Sequence, residues 1–83
     1  MQPVNKEMFK TLHQAIIYVL ENQPNAIASF ETISDEIKKN NLWKRPSDKK
    51  YPPPYQIRLR TVVARKYKHL FKLIGEDKIQ LGS

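Results

Sequence analysis

The apolar positions near the start of the chain repeat with the period of an α-helix. Five of them follow the spacing i, i+3, i+4, i+7 and i+8, which is one face of a helix with 3.6 residues per turn. They are Leu12, Ala15, Ile16, Val19 and Leu20. The pattern predicts a first helix over about residues 5–22 that buries this face. Pro24 ends it, because proline cannot continue a helix.

A short strand and a second helix are predicted from the next stretch. Residues 26–28 form a short extended piece, and Ser29 then offers a side-chain oxygen that can cap the following helix. The buried side of that helix follows the spacing i, i+3 and i+7, at Phe30, Ile33 and Ile37. The asparagines at 40–41 end the helix, and Trp43 is expected to fold back and fill the core.

A basic, proline-rich connection, residues 44–54, leads to the third helix. Consecutive prolines favour an extended polyproline conformation, and Pro54 can begin a helix because its missing N–H costs nothing there. The third helix is predicted over residues 55–69. Its inward arc contains Ile57, Val63, Ala64, Tyr67 and Phe71, with Arg60 as a charged member. Its outward arc contains Arg58, Thr61, Val62, Arg65 and Lys66.

Residues 71–81 alternate between apolar and polar side chains on both sides of Gly75. A period of two predicts two antiparallel strands. Their apolar members are Phe71, Leu73, Ile79 and Leu81. The order helix, strand, helix, loop, helix, hairpin predicts a winged helix, which is a mainly α fold with a small antiparallel sheet, three helices and a C-terminal β-hairpin wing. A chain of 83 residues is long enough for one such domain, 1–83, with its core at about 5–81.

The excess positive charge of the chain is concentrated in one third of its length. The chain carries a formal net charge of +7, and residues 44–72 contain ten Lys or Arg but only one acid, Asp48. The segments before and after, 1–43 and 73–83, each have a net charge of −1. Charge that serves only solubility mixes both signs, whereas a cluster of one sign is typical of proteins that bind a polyanion.

Duplex DNA is therefore the predicted partner, bound by the third helix, the basic loop and the wing. Arg58, Thr61 and Arg65 share one side of the helix, from which long donors can reach base edges or phosphates. Gln56 either makes a bidentate contact to adenine or caps the helix start. Lysines of the loop and the wing would contact phosphates. The full predicted set is Lys44, Arg45, Lys49, Lys50, Gln56, Arg58, Thr61, Arg65, Lys66 and Lys72, with Lys78 as a second wing residue.

Other side chains in the basic segment are predicted to have structural roles. Arg60 lies on the apolar arc, and an unpaired buried charge costs several kcal/mol, so an ion pair with Glu36 or Asp35 is expected. The alternative is that Arg60 reaches out to a phosphate. Tyr51 and Tyr55 could stack on bases, but packing against the neighbouring proline rings is favoured.

Four short motifs stand in order along the C-terminal half: Leu42-Trp43-x-Arg45-x-x-Asp48, Gln56-Ile57-x-x-Arg60, Tyr67-x-x-Leu70-Phe71 and Ile79-x-Leu81. With the apolar faces of the first two helices, they resemble the HARE-type helix-turn-helix family over about residues 11–81. Those domains are winged helices attached to restriction endonucleases, RNA polymerase accessory subunits and chromatin regulators. The resemblance implies DNA association, or a link between DNA and a larger assembly. The chain departs from the family in its proline run and at Lys49, where the family often has glycine.

The residues that catalysis or a cofactor would require are missing from the sequence pattern. The glycines, Gly75 and Gly82, form no phosphate-binding loop, and Asp48 alone in the basic segment cannot replace the several carboxylates of a metal-dependent nuclease. The chain has no cysteine, and its two histidines lie far apart. We therefore expect no enzyme activity, cofactor, bound metal or small-molecule substrate.

Two other functions compete with DNA binding. Ile17, Leu59 and Val62 lie off the main apolar arcs and could form a patch for a protein partner or a homodimer within a larger DNA-processing or transcription assembly. RNA is the least favoured partner, because only Tyr51 and Tyr55 are available for stacking on bases. The chain contains no apolar run typical of a signal peptide or a membrane span. A cytoplasmic, nucleoid-associated location is expected, or a nuclear one in a eukaryote.

Overall fold

Helices and a three-stranded antiparallel sheet make up the fold in the computed structural model, which describes residues 9–63 and 68–82. The elements are α1 (Leu12–Glu21), β1 (Ile27–Ser29), α2 (Phe30–Lys39), α3 (Pro54–Arg58), β2 (Phe71–Ile74) and β3 (Lys78–Leu81). Two 3-10 turns, Pro24–Ala26 and Lys68–Leu70, precede β1 and β2, and a π-helical turn, Leu59–Val63, directly follows α3. The architecture is the predicted winged helix, mainly α with a small antiparallel sheet.

Helix α1 begins where a threonine side chain caps it. The Thr11 hydroxyl oxygen accepts a hydrogen bond from the backbone N–H of Gln14 at 3.3 Å, which satisfies one of the free donors of the first turn. Residues 9–11 precede the helix, so the predicted start near residue 5 is wrong. The predicted apolar face is confirmed, because all five of its residues are buried.

Helix α2 has the predicted cap and the predicted buried side. Ser29 Oγ accepts a hydrogen bond from the backbone N–H of Thr32 at 3.0 Å. The three residues expected in the core, Phe30, Ile33 and Ile37, are buried. The cap satisfies one of the free backbone donors of the first turn, and the apolar residues at helical spacing bury one side of the helix.

The chain reverses direction after α2 through a left-handed residue. Asn41 has φ +52°, and the N–H of Leu42 donates to the carbonyl of Ile37 at 2.9 Å, which is the Schellman arrangement of a helix end. This reversal returns Trp43 to the core, where only 8% of its surface is exposed. The prediction that Trp43 fills the core is confirmed.

The sheet has the order β1–β3–β2, with both pairs antiparallel. Ile79 on the central strand is opposite Ala28 on one side and Leu73 on the other, and it is fully buried. Gly75 allows the turn between β2 and β3, since its φ of +67° is readily adopted by glycine. The hairpin is confirmed, and the first strand lies one residue later than predicted.

The third helix differs from its prediction. Pro54 is its first residue, as expected, but α-helical structure ends at Arg58 and a π-helical turn follows. Residues 64–67 lie outside the described part of the chain. The predicted orientations of Ala64, Arg65, Lys66 and Tyr67 therefore remain predictions.

Two residues of the third helix lie on the opposite side from the one predicted. Thr61, expected to point outward, is fully buried, and Val63, expected to point inward, is 53% exposed. Thr61 lies four residues after the buried Ile57, and its hydroxyl donates to the Ile57 carbonyl at 2.9 Å. A threonine whose hydroxyl is satisfied within its own helix can be buried at little cost. The predicted outward face of Arg58, Thr61 and Arg65 is therefore wrong at Thr61.

The proline run is anchored to α2. The hydroxyl of Ser34 donates to the carbonyl of Pro52 at 2.7 Å, and Pro52 is fully buried. Pro53 has φ −76° and ψ 166°, so it adopts the predicted polyproline conformation. This attachment fixes the end of the basic loop at the start of α3.

Candidate nucleic-acid interface

A groove of about 420 Å³ lies between the segment that precedes α1 and the loop that follows α2. Two aromatic residues, one proline and four cations line it: Phe9, Trp43, Pro46, Lys10, Lys44, Arg45 and Lys49. We call it the basic groove. The backbone N–H of Phe9 donates to the carbonyl of Leu42 at 2.8 Å, which holds the two segments together. Among the described residues that line the groove, none is acidic.

Lys10 is the groove residue that sequence reasoning missed. It lies outside the basic segment and is brought to Lys44 and Lys49 by the backbone hydrogen bond of its neighbour Phe9. A single lysine before a helix has no distinguishing pattern in the sequence. Tertiary packing is therefore what assigns it to the groove.

A charge-assisted pair closes the loop. Arg45 Nη2 lies 2.6 Å from Asp48 Oδ2, and Arg45 Nε donates to Asp48 Oδ1 at 3.1 Å, so the contact is bidentate. The hydrogen bond from Arg45 lowers the pKa of the Asp48 carboxyl, and the same bond raises the pKa of Arg45. Asp48 therefore pairs with one of the four cations that line the basic groove.

The turn held by this pair places Lys49 in an unusual backbone conformation. The Arg45 carbonyl accepts from the Lys49 N–H at 2.8 Å, and the Arg45 N–H donates to the Lys50 carbonyl at 2.8 Å. Lys49 has φ +62°, in the left-handed region that favours glycine.

The two tyrosines of the basic segment have different environments. The Tyr51 hydroxyl donates to Asn41 Oδ1 at 3.0 Å, and its ring packs half-buried against the core. Lys44 Nζ lies 5.3 Å from the centre of that ring, within cation–π range. Tyr51 therefore packs against the core, while its predicted contact with the proline rings stays a prediction. Tyr55 is 64% exposed, and its packing against the proline rings stays a prediction.

Gln56 is oriented toward the loop. Its side-chain oxygen lies 3.5 Å from Arg45 Nη1, a long hydrogen bond. The first turn of α3 has no side-chain cap, so the capping interpretation of Gln56 is wrong. A bidentate contact to adenine would have to displace Arg45.

Arg58 is exposed as predicted, but its neighbours are acidic. It lines a second groove, of about 320 Å³, between the starts of α2 and α3 and the turn of the hairpin. The other residues of this groove are Phe30, Glu31, Pro54, Tyr55, Glu76 and Asp77. We call it the acidic groove. The structure does not place Arg58 among the residues that line the basic groove.

Of the remaining predicted lysines, the three that the structure describes, Lys50, Lys72 and Lys78, are exposed and lie outside the lining of the basic groove. Lys50 is on the surface of the loop. Lys72 is opposite Gln80 in the sheet, and alternation along β2 puts it on the other face from the buried Phe71. The turn of the wing itself carries two carboxylates, which would repel phosphates.

Arg60, expected to be buried and paired with Glu36 or Asp35, is half-buried. Glu36 Oε1 accepts a hydrogen bond from Asn40 Nδ2 at 3.1 Å. Pairing of Arg60 with Glu36 stays a prediction.

The apolar patch predicted for a protein partner is not assembled as expected. Ile17 and Val62 are half-buried and pack against the core. Leu59 is 48% exposed, but its exposed apolar neighbours are Tyr55 and Val63. The predicted patch is therefore wrong in two of its three residues.

Two other features, a metal site and a membrane-spanning helix, are absent from the described residues. These residues contain no group of three or more His, Cys, Asp or Glu side chains placed to hold a metal ion. None of their helices combines the length and apolar character needed to cross a membrane. Compared with protein-family models, curated proteins and solved structures, the chain matches none.

Proposed function

We propose that this domain binds the phosphate backbone of duplex DNA through the basic groove and does not read the base sequence. The observation that supports this most directly is the meeting of three lysines, Lys10, Lys44 and Lys49, around one groove. They come from two separate parts of the chain. A concave surface with charge of one sign concentrates a ligand of the opposite charge, and DNA carries its phosphates in regular rows.

The described part of the third helix, residues 54–63, argues against base readout. Reading base edges in the major groove requires polar side chains on the exposed face of the inserted helix. Thr61 is buried, Gln56 contacts Arg45, and Arg58 lies in the acidic groove. Contacts to phosphates alone fix position without carrying sequence information.

Within this proposal, the loop is a preorganised phosphate clamp. The pair of Arg45 with Asp48 holds the turn closed, and Lys44 Nζ lies over the Tyr51 ring at 5.3 Å. Lys49 projects from the same turn. Fewer side-chain rotations are then lost when phosphate binds, which increases affinity. The winged-helix fold and the HARE-type resemblance support DNA as the polyanion.

The salt dependence of binding tests the proposal. Fluorescence anisotropy would follow a labelled duplex of about 20 base pairs between about 50 and 200 mM salt, and three neutralised phosphates give a log–log slope of about −3. A slope near zero would refute phosphate binding. Two duplexes of unrelated sequence should bind equally, whereas a specific site would differ from other sequences by about 10³-fold or more.

Single substitutions test the groove itself. Lys10→Gln and Lys49→Gln should each reduce the slope by about 0.9. Lys72→Gln is the matched control, because it removes the same charge from the outer face of the sheet. If Lys72→Gln weakened binding as strongly as Lys10→Gln, net charge and not the groove would account for the affinity.

A further inference from the structure

The exposed side of the third helix is apolar. Tyr55, Leu59 and Val63 follow one another at intervals of four residues, and side chains with this spacing are neighbours along a helix. Their exposed fractions are 64%, 48% and 53%. We call these three residues the apolar stripe. Single exposed apolar residues are ordinary, but an aligned group on one helix is typical of a contact surface.

The acidic groove adjoins this stripe at Tyr55. Carboxylates from two elements converge there, since Glu31 lies in the first turn of α2 and Glu76 and Asp77 lie in the hairpin turn. The N–H of Phe30 donates to the carbonyl of Asp77 at 2.9 Å, which joins the two elements. With Arg58 as the one cation among its described lining residues, the groove has a net charge of −2. Its sign is opposite to that of the chain as a whole.

We propose that the apolar stripe and the acidic groove together dock a segment of another protein that carries apolar side chains flanked by lysines or arginines. The stripe provides the apolar contact of a helix-in-groove type of recognition. The carboxylates select the charge of the flanks and oppose acidic segments. This proposal is independent of DNA binding, because none of its residues lines the basic groove.

A second copy of this chain fits the surface less well. A symmetric dimer places the same patch of both subunits face to face, so Glu31, Glu76 and Asp77 would meet their own equivalents. Each chain also carries a net charge of +7. The facing carboxylates and the like net charges of the two chains both oppose self-association. A basic segment of a different protein, in contrast, is attracted by the acidic groove.

Two synthetic peptides test the charge selection. Both are amphipathic helices of about four turns with leucine on one face; one has lysine and the other glutamate on the flanks. Titration of the full chain, followed by amide chemical shifts, should show binding of the lysine peptide at least about tenfold tighter than the glutamate peptide. The shifts should lie at Tyr55, Leu59, Val63 and the hairpin turn. Equal binding of both peptides would overturn the proposal.

Substitutions test whether the peptide binds the apolar stripe or any exposed apolar side chain. Leu59→Ser should weaken binding of the lysine peptide. Tyr18→Ser, at an apolar residue on α1 that is 45% exposed, should leave that binding unchanged. The double variant Glu31→Gln with Glu76→Gln should abolish the preference for lysine over glutamate. An equal loss in Tyr18→Ser would contradict the assignment of the surface.

Two further outcomes would also reject the proposed docking of another protein on the apolar stripe and the acidic groove. A dimer in sedimentation that disappears in Leu59→Ser would assign the stripe to a second copy. A loss of duplex affinity in Leu59→Ser, measured by the anisotropy assay, would assign the stripe to the DNA surface. Because Leu59→Ser leaves every basic side chain in place, failure of this proposal and failure of the DNA proposal give different results.

Discussion

Replacing Lys49 by glycine should stabilise the domain and weaken DNA binding at the same time. Lys49 has φ +62°, and this conformation costs a residue with a Cβ atom roughly 1–2 kcal/mol. Glycine removes that strain. The greater freedom of its unfolded chain, however, lowers the free energy of unfolding by about 0.5–1 kcal/mol. The expected net gain in the free energy of unfolding is about 0.5–1 kcal/mol.

The binding effect of the same substitution comes from the lost charge. Removing one lysine from the basic groove removes one phosphate contact, so the log–log salt slope should become less steep by about 0.9. Lys49→Ala separates the two effects. It removes the same charge and retains the left-handed strain, so its binding should match that of Lys49→Gly while its stability should not.

Urea unfolding and thermal melting measure the effect of the substitution on the free energy of unfolding. A gain of about 0.5–1 kcal/mol corresponds to a rise in Tm of about 2–8 °C for a domain of this size. The relevant comparison is between Lys49→Gly and Lys49→Ala at equal charge. If the glycine variant were no more stable than the alanine variant, the left-handed conformation of Lys49, and with it the closed turn of the loop, would be refuted.

Two further substitutions test the burial of Thr61 and the loop pair. Thr61→Lys should destabilise the domain by several kcal/mol, because it buries an unpaired charge. Leu59→Lys on the exposed side is the control and should change the free energy of unfolding by less than about 0.5 kcal/mol. Equal effects of the two substitutions in a urea titration would contradict the inward position of Thr61. The pKa of Asp48 lies below its ordinary value of 3.8, so the pair stabilises the loop above about pH 4 and is lost as pH falls through the lower folded value. Arg45→Gln should move the Asp48 pKa back toward 3.8 in a carboxyl NMR titration, and an unchanged pKa would show that Arg45 is not its cause.

The elements that the sequence predicts well are those with strong local signals. The spacing of apolar residues on α1, the Ser29 cap of α2 and the alternation around Gly75 each depend on residues a few positions apart. Such signals survive in the fold because burial of one face and satisfaction of backbone donors are local requirements. The winged-helix architecture follows from their order along the chain.

The candidate site was harder to predict, for reasons that particular residues illustrate. Thr61 counts as polar in any pattern of hydrophobicity, yet its hydroxyl is satisfied by the Ile57 carbonyl and the residue is buried. Arg45 counts as a free cation, yet Asp48 binds it. A charge count cannot distinguish a side chain that is available to a ligand from one that is already paired.

Local sequence is therefore sufficient for the buried faces of α1 and α2, the hairpin and the excess of positive charge between residues 44 and 72, but not for the extent of the third helix. The distribution of that charge over the surface depends on contacts between distant segments. The hydrogen bond from Phe9 to Leu42 adds Lys10 to the basic groove, and the contact of α2 with the hairpin turn surrounds Arg58 with carboxylates. Coulomb interactions depend on distance in space and not along the chain, so the basic groove and the oppositely charged acidic groove form only when the chain is folded.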